Sequence, residues 1–114
     1  MLLAVDIGNT NIAFGCVDDE DKVLLFERIS TNHNATSAEY ASLIKNILEM
    51  NSFNISDISA AIMSSVVPSV TNTVREAIRK LFKVEVMLAG PGVKTGLNIL
   101  IDNPAQLGAD LVAE

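Results

Sequence analysis

The run Ala4-Val5-Asp6-Ile7-Gly8-Asn9-Thr10-Asn11-Ile12-Ala13, AVDIGNTNIA, sets a carboxylate, a glycine and a polar trio between two apolar runs. Leu2 to Asp6 reads as a short buried strand and Ile12 to Val17 as a second, so the polar residues form the turn between them. Gly8 can adopt backbone angles closed to other residues and lets a ligand approach the main chain. Asn9, Thr10 and Asn11 offer amides and a hydroxyl, and a turn of successive N–H groups makes an anion nest. Asp6, at the strand end, would repel bare phosphate. It makes sense if it holds Mg²⁺, which prefers carboxylate together with phosphate oxygens. Asp-x-Gly taken alone fits a plain hairpin equally well, with Gly at a positive φ and a polar tip.

Outward from this turn, Lys22 to Ile29 reads as a third strand. Asp18-Asp19-Glu20-Asp21 supplies the turn before it, a solvated hairpin loop in preference to a metal site, because consecutive side chains point apart. Thr36-Ser37-Ala38-Glu39 has the form of a capping box. Tyr40, Leu43, Ile44, Ile47 and Leu48 follow at helical spacing, and that helix should end near Asn51. Ile58 to Val67 is a continuous apolar and small-residue run closed by Pro68, as a central parallel strand would be. A second amphipathic helix carries Val70, Val74, Ile78, Leu81 and Phe82 on one face. Arg75, Arg79 and Lys83 form a basic stripe on the other, read as a solvated face. Val84 to Leu88 is a fifth strand. Beyond it, Gly90 to Gly96 is loop-like, Leu97 to Ile101 is short and extended, and Gln106 to Glu114 begins a helix.

Hairpins join the first three strands, and crossover helices make the later two parallel to the first. The expected fold is therefore α/β, a mixed five-stranded sheet in the order 3-2-1-4-5 with helices on its faces.

Composition narrows the function. The 114 residues are 49% hydrophobic and 19% charged, which suits one domain with a real core. The net charge of −6 argues against a nucleic-acid partner, which would call for a basic face. It leaves room for an anionic ligand held by backbone amides and a metal. One cysteine, Cys16, and one histidine, His33, build neither a disulfide framework nor a zinc cluster. Cys16 lies in an apolar run and reads as buried and inert. His33 lies in a loop with no evident partner, so a catalytic triad is not expected. Met1 to Val5 is cut at once by Asp6 and has no basic lead-in, so it does not read as a signal peptide. No apolar run reaches membrane-spanning length. The expected location is the cytoplasm, with no membrane partner.

Two further stretches invite chemistry. Gly92-Val93-Lys94-Thr95 looks superficially like a P-loop, but Lys94 does not follow the glycine directly, so the spacing is wrong. Ser64-Ser65 ends the central strand, where α/β sheets commonly meet ligands. A satisfied polar strand end accounts for it equally well.

Asp6-Ile7-Gly8-Asn9-Thr10-Asn11, followed by a strand containing Phe14-Gly15, resembles the first phosphate motif of the superfamily of sugar and acetate kinases, heat-shock ATPases and actin. DIGNTN at the N-terminus, GPGVKTGL at 90–97 and DNPAQLGAD at 102–110 together resemble type III pantothenate kinase, in order and spacing, over essentially the whole chain. The resemblance implies a ribonuclease-H-like domain, ATP-dependent phosphorylation of pantothenate in coenzyme A biosynthesis, and a homodimer. It implies Mg²⁺ and a monovalent cation, K⁺ or NH4⁺. It assigns Asp6, Gly8, Asn9, Thr10 and Asn11 to the ATP phosphates, with Asp6 also at the metal. It assigns Gly96, Gly108 and Asp110 to the substrate, and makes Asp110 the general base. A positioned carboxylate does this work in other kinases, accepting the hydroxyl proton as the phosphoryl group arrives. By this resemblance residues 1–114 are one domain, the N-terminal half of a two-domain kinase. The half that carries the other phosphate motif and the adenosine site is not among them. One position departs from the pattern: Leu111 stands where the family has an arginine, and leucine cannot pair with an anionic substrate. Two other functions compete with the kinase. One is a non-catalytic relative acting as a regulatory accessory factor, as in virulence gene regulation; the other is an isolated dimerising module.

Overall fold

A computed structural model describes residues 1–20 and 22–88. Its elements are β1 (Leu2–Ile7), β2 (Asn11–Val17), β3 (Val23–Ser30), α1 (Ser37–Met50), a single 3-10 turn (Ile55–Asp57), β4 (Ala60–Ser65), α2 (Pro68–Phe82) and β5 (Val86–Leu88). Among the described residues the sheet has five strands in the order β3-β2-β1-β4-β5. β2 runs antiparallel to both β1 and β3, while β4 is parallel to β1 and β5 is parallel to β4. This is the expected topology, and it follows from hairpins first and helical crossovers afterwards. The extended run at 97–101, the helix start at 106–114 and the loop around Lys94 lie outside the described residues.

Local chemistry sets the boundaries. Asp18 caps the β2–β3 turn, its Oδ1 accepting from the backbone N–H of Glu20 and Lys22, each at 2.9 Å. That is an Asx-type turn, which fits the reading of this acidic run as a loop. Thr36 and Glu39 form the expected capping box: Glu39 N–H donates to Thr36 Oγ1 at 3.2 Å, and Thr36 N–H donates to Glu39 Oε1 at 3.0 Å. α2 starts at Pro68, where proline's missing N–H costs nothing. The strand before it is shorter than the apolar run suggested. Ser65 Oγ accepts from Val67 N–H at 3.0 Å and donates to Val67 O at 3.3 Å, which turns the chain out of β4. Ser65 is thus a satisfied strand end.

Strand alternation divides the buried residues into two sets. Leu3, Val5 and Ile7 of β1, Ile12, Phe14 and Cys16 of β2, and Ala61 and Met63 of β4 merge into one cluster with Tyr40, Ile44 and Leu48 of α1 and Val70, Val74, Ala77, Ile78 and Phe82 of α2. Both described helices therefore cover the same sheet face. Leu43, expected on the buried stripe of α1, is 42% exposed. The buried positions run at i, i+4 and i+8 from Tyr40, a narrower stripe than the sequence suggested. Cys16 is buried, and that burial pushes its thiol up to about 11, so it stays neutral and unreactive at physiological pH.

The basic stripe of α2 is not uniformly solvated. Arg79 lies within 4.0 Å of Glu76 and 3.8 Å of Glu85, surface pairs worth little individually. Arg75 is only half-buried, yet its Nε is enclosed and meets no acceptor among the described residues. Helical spacing alone would have aimed it outward.

Candidate functional site

Leu2, Ala4 and Asp6 project to the sheet face opposite the helices. The register carries Asp6 across to Ala13 of β2, and Ala13 across to Arg28 of β3. Parallel pairing sets Ser64 beside Asp6 on the other flank, and Ser64 is buried. A small alanine between a carboxylate and a guanidinium leaves a hollow. The resulting cavity, about 280 Å³, is lined by Asp6, Gly8, Thr10, Asn11, Ala13 and Arg28. Residues that the sequence singled out at one turn are therefore brought together with a cationic residue from a strand the motif does not include.

The turn is held from β3 and the loop after it. Thr31 Oγ1 donates to Gly8 O at 2.7 Å, and Thr31 N–H donates to Thr10 O at 2.8 Å. Tyr40 anchors that loop in turn: its buried hydroxyl donates to Asn32 O at 2.7 Å and accepts from Asn32 N–H at 2.9 Å. His33 Nε2 lies 3.4 Å from Asn9 O. The histidine read as partnerless thus faces the turn, because the post-β3 loop folds back over it. No feature of His33's sequence neighbourhood points there. Only the hairpin register does.

Gly8 works differently from the sequence expectation. None of the described glycines has a positive φ. What disfavours a side chain at Gly8 is proximity: a Cβ would lie 3.1 Å from Asn11 O, so that the turn would have to give by a few tenths of an ångström. The cause is the bond that closes the turn, Gly8 N–H donating to Asn11 O at 2.9 Å. That bond also takes Gly8's own N–H out of any anion nest. The N–H groups of Asn9 and Thr10 donate to nothing among the described residues, and both residues are exposed. The turn thus offers a ligand two amide N–H groups, the Thr10 hydroxyl and the side chains of Asn9 and Asn11.

Asp6 is half-buried and is not without an interaction partner. With Thr10 and Asn11 it gives the cavity a set of hard oxygen donors, the kind a magnesium ion takes. Gly96, Gly108, Asp110 and Leu111 lie outside the described residues. Arg28, Thr31 and the Tyr40 hydroxyl are the positions sequence reasoning missed. Each is remote from the DIGNTN run: strand pairing brings Arg28 and Thr31 to it, and Tyr40 acts through its hydrogen bonds to Asn32.

Thr31→Val keeps the shape but removes the hydroxyl donor to Gly8 O. We expect it to destabilise the fold by about 1 kcal/mol. Thermal melts of the variant and the wild type check this.

Comparison with known proteins adds a lineage to this geometry. The family model for type III pantothenate kinase matches residues 2–114. A type III pantothenate kinase of Bifidobacterium adolescentis is 44% identical over 114 residues, covering 100% of this chain and 44% of its own length. One from Bifidobacterium longum is 45% identical over the same span, again 44% of its length. The chain thus spans less than half the length of these curated relatives. Among solved structures, a ROK hexokinase from Thermus thermophilus superposes with a TM-score of 0.61 at 14% identity, over 87% of this chain and 38% of that one. The Thermus thermophilus RuvC complex with a Holliday junction substrate superposes at 0.58 and 16% identity, over 83% of this chain and 68% of that one. At such identities these likenesses speak for the fold alone, and the fold is ribonuclease-H-like.

Proposed function

The chain belongs to the type III pantothenate kinase family, and from that premise we propose that it forms the phosphate-binding half of an enzyme that phosphorylates pantothenate with ATP. The observation that carries the proposal is the Asp6–Gly8–Thr10–Asn11 cavity at the β1–β2 turn. At about 280 Å³ it falls below the roughly 300–1,000 Å³ of a site that encloses a whole small molecule. It suits the phosphate tail of a nucleotide whose remainder lies against another part of the protein. On this reading residues 1–114 form one domain of a two-domain kinase, with the adenosine site on the other.

In the reaction, an oxygen of pantothenate's primary hydroxyl forms a bond to the γ-phosphorus of ATP. The bond from that phosphorus to the bridging oxygen breaks, and ADP leaves with the electron pair. Asp110 accepts the hydroxyl proton. The N–H groups of Asn9 and Thr10 and the Thr10 hydroxyl hold phosphate oxygens in line. Asp6, with neighbouring oxygens, is the residue that would hold Mg²⁺, which neutralises phosphate charge when bound. Thr31 and Tyr40 act at a distance, keeping the turn in place. Gly96 and Gly108 are assigned to the pantothenate side from the family alone. The monovalent cation, K⁺ or NH4⁺, is carried over from the family alone, as are the place in coenzyme A biosynthesis and a cytoplasmic site of action. Among the described residues no helix is long and apolar enough to cross a membrane.

The deciding experiment incubates the purified full-length protein with pantothenate, ATP and Mg²⁺ and follows phosphopantothenate by mass spectrometry. Formation of product, dependent on both substrates, is the expected result. Absence of product under conditions where a known family member turns over would overturn the reading. We further propose a homodimer built on the 90–107 segment or on α2. Sedimentation at micromolar concentration should show a species of twice the monomer mass.

A further inference from the structure

Resting on the kinase reading above, we propose that Arg28 binds a phosphate oxygen of the nucleotide and forms the cationic wall of the cleft opposite Asp6. Nothing in the DIGNTN motif points to this residue, and the argument comes from sheet register. Asp6 pairs with Ala13 and Ala13 pairs with Arg28, so the three side chains stand in one row on the face away from the helices. Ala13 is too short to fill the gap, and the cavity that results is lined by both charged residues and by the polar turn.

The guanidinium is available and partly ordered. Arg28 is exposed, and no ion pair among the described residues engages it. Its guanidinium carbon lies 5.7 Å from the centroid of the Phe26 ring, two residues back on the same face of β3. That stacking limits the conformations the side chain must lose when a ligand binds. A planar guanidinium then offers paired N–H donors that match phosphate oxygens, which an ammonium group does not. The chemistry also resolves a difficulty posed by Asp6. A carboxylate facing the cleft disfavours a polyphosphate unless positive charge is supplied. A metal supplies some of it, and Arg28 supplies a fixed share from the far wall.

The test uses the full-length protein and calorimetric titration with ATP, with and without Mg²⁺, and with adenosine. Arg28→Gln should weaken ATP on the order of tenfold, the effect of losing one charge-assisted phosphate contact, and leave adenosine affinity unchanged. The loss should persist without Mg²⁺, since the contact is to phosphate directly. Arg28→Lys should recover part of the affinity, and the KM for pantothenate should not move. Unchanged ATP affinity in Arg28→Gln overturns the proposal. So does an equal loss for ATP and adenosine, which marks a structural role, or a rise confined to the KM for pantothenate, which places Arg28 on the acceptor. These outcomes separate the two proposals. Wild-type protein that binds ATP through Arg28 but leaves pantothenate untouched sinks only the kinase reading. Wild-type turnover with unaltered ATP binding in the variant sinks only this one.

Discussion

Asp6→Asn in the full-length protein is expected to lower kcat by at least about 10²–10³-fold, the usual cost of losing one well-placed electrostatic group at a phosphoryl or oxyanion site. The substitution is nearly isosteric. Asp6 lies on the sheet face away from the helix-packed core, so β1 should keep its pairing with β2 and β4. Melting temperature should therefore shift little. A second readout separates a metal ligand from a merely structural carboxylate. Removing the negative charge relieves its repulsion of bare phosphate, so ATP without Mg²⁺ should bind as well as to wild type, or better. The gain in ATP affinity that Mg²⁺ confers on wild type should shrink. Near-normal turnover in the variant would show that Asp6 does not carry the assignment.

How much of this cleft the sequence discloses depends on how far apart its parts lie along the chain. The strand order was legible because turn chemistry and apolar runs alternate cleanly: an acidic hairpin after Val17, a capping box at Thr36, a proline at the head of α2. The DIGNTN turn was legible because all its polar groups fall within six successive residues. Arg28, Thr31 and His33 were not. They reach the turn through the β2–β3 register and a loop pinned by the Tyr40 hydroxyl, and each looks locally like an ordinary strand or loop residue. Gly8 shows a subtler limit. Its identity was readable but its reason was not, because the hydrogen bond from Gly8 N–H to Asn11 O, not a left-handed backbone, is what crowds a side chain. Arg75 illustrates the same point on α2, where helical spacing aims the residue outward but packing encloses its Nε.

A polypeptide limited to residues 1–114 is expected to form no phosphopantothenate at a measurable enzymatic rate, although its sheet and helices fold around their own core. The relatives it matches are more than twice as long, since it covers 44% of their length. At about 280 Å³ the cavity at the β1–β2 turn suits a phosphate tail and is too small for a whole nucleotide. Kinase chemistry offers little covalent work for the protein and depends on holding donor and acceptor in line. Such alignment contributes roughly 7–11 kcal/mol, and half a cleft forfeits most of it. Two additions can be tested separately. Joining the second domain of a family member should restore ATP affinity, measured by titration. Within that longer protein, Leu111→Arg should lower the KM for pantothenate while leaving ATP affinity unchanged, because a guanidinium at that position can meet the acceptor's carboxylate. Ordinary turnover by the 114-residue piece, purified free of host kinase, would mean that one ribonuclease-H-like sheet suffices to align both substrates, and the divided-cleft mechanism would have to be abandoned.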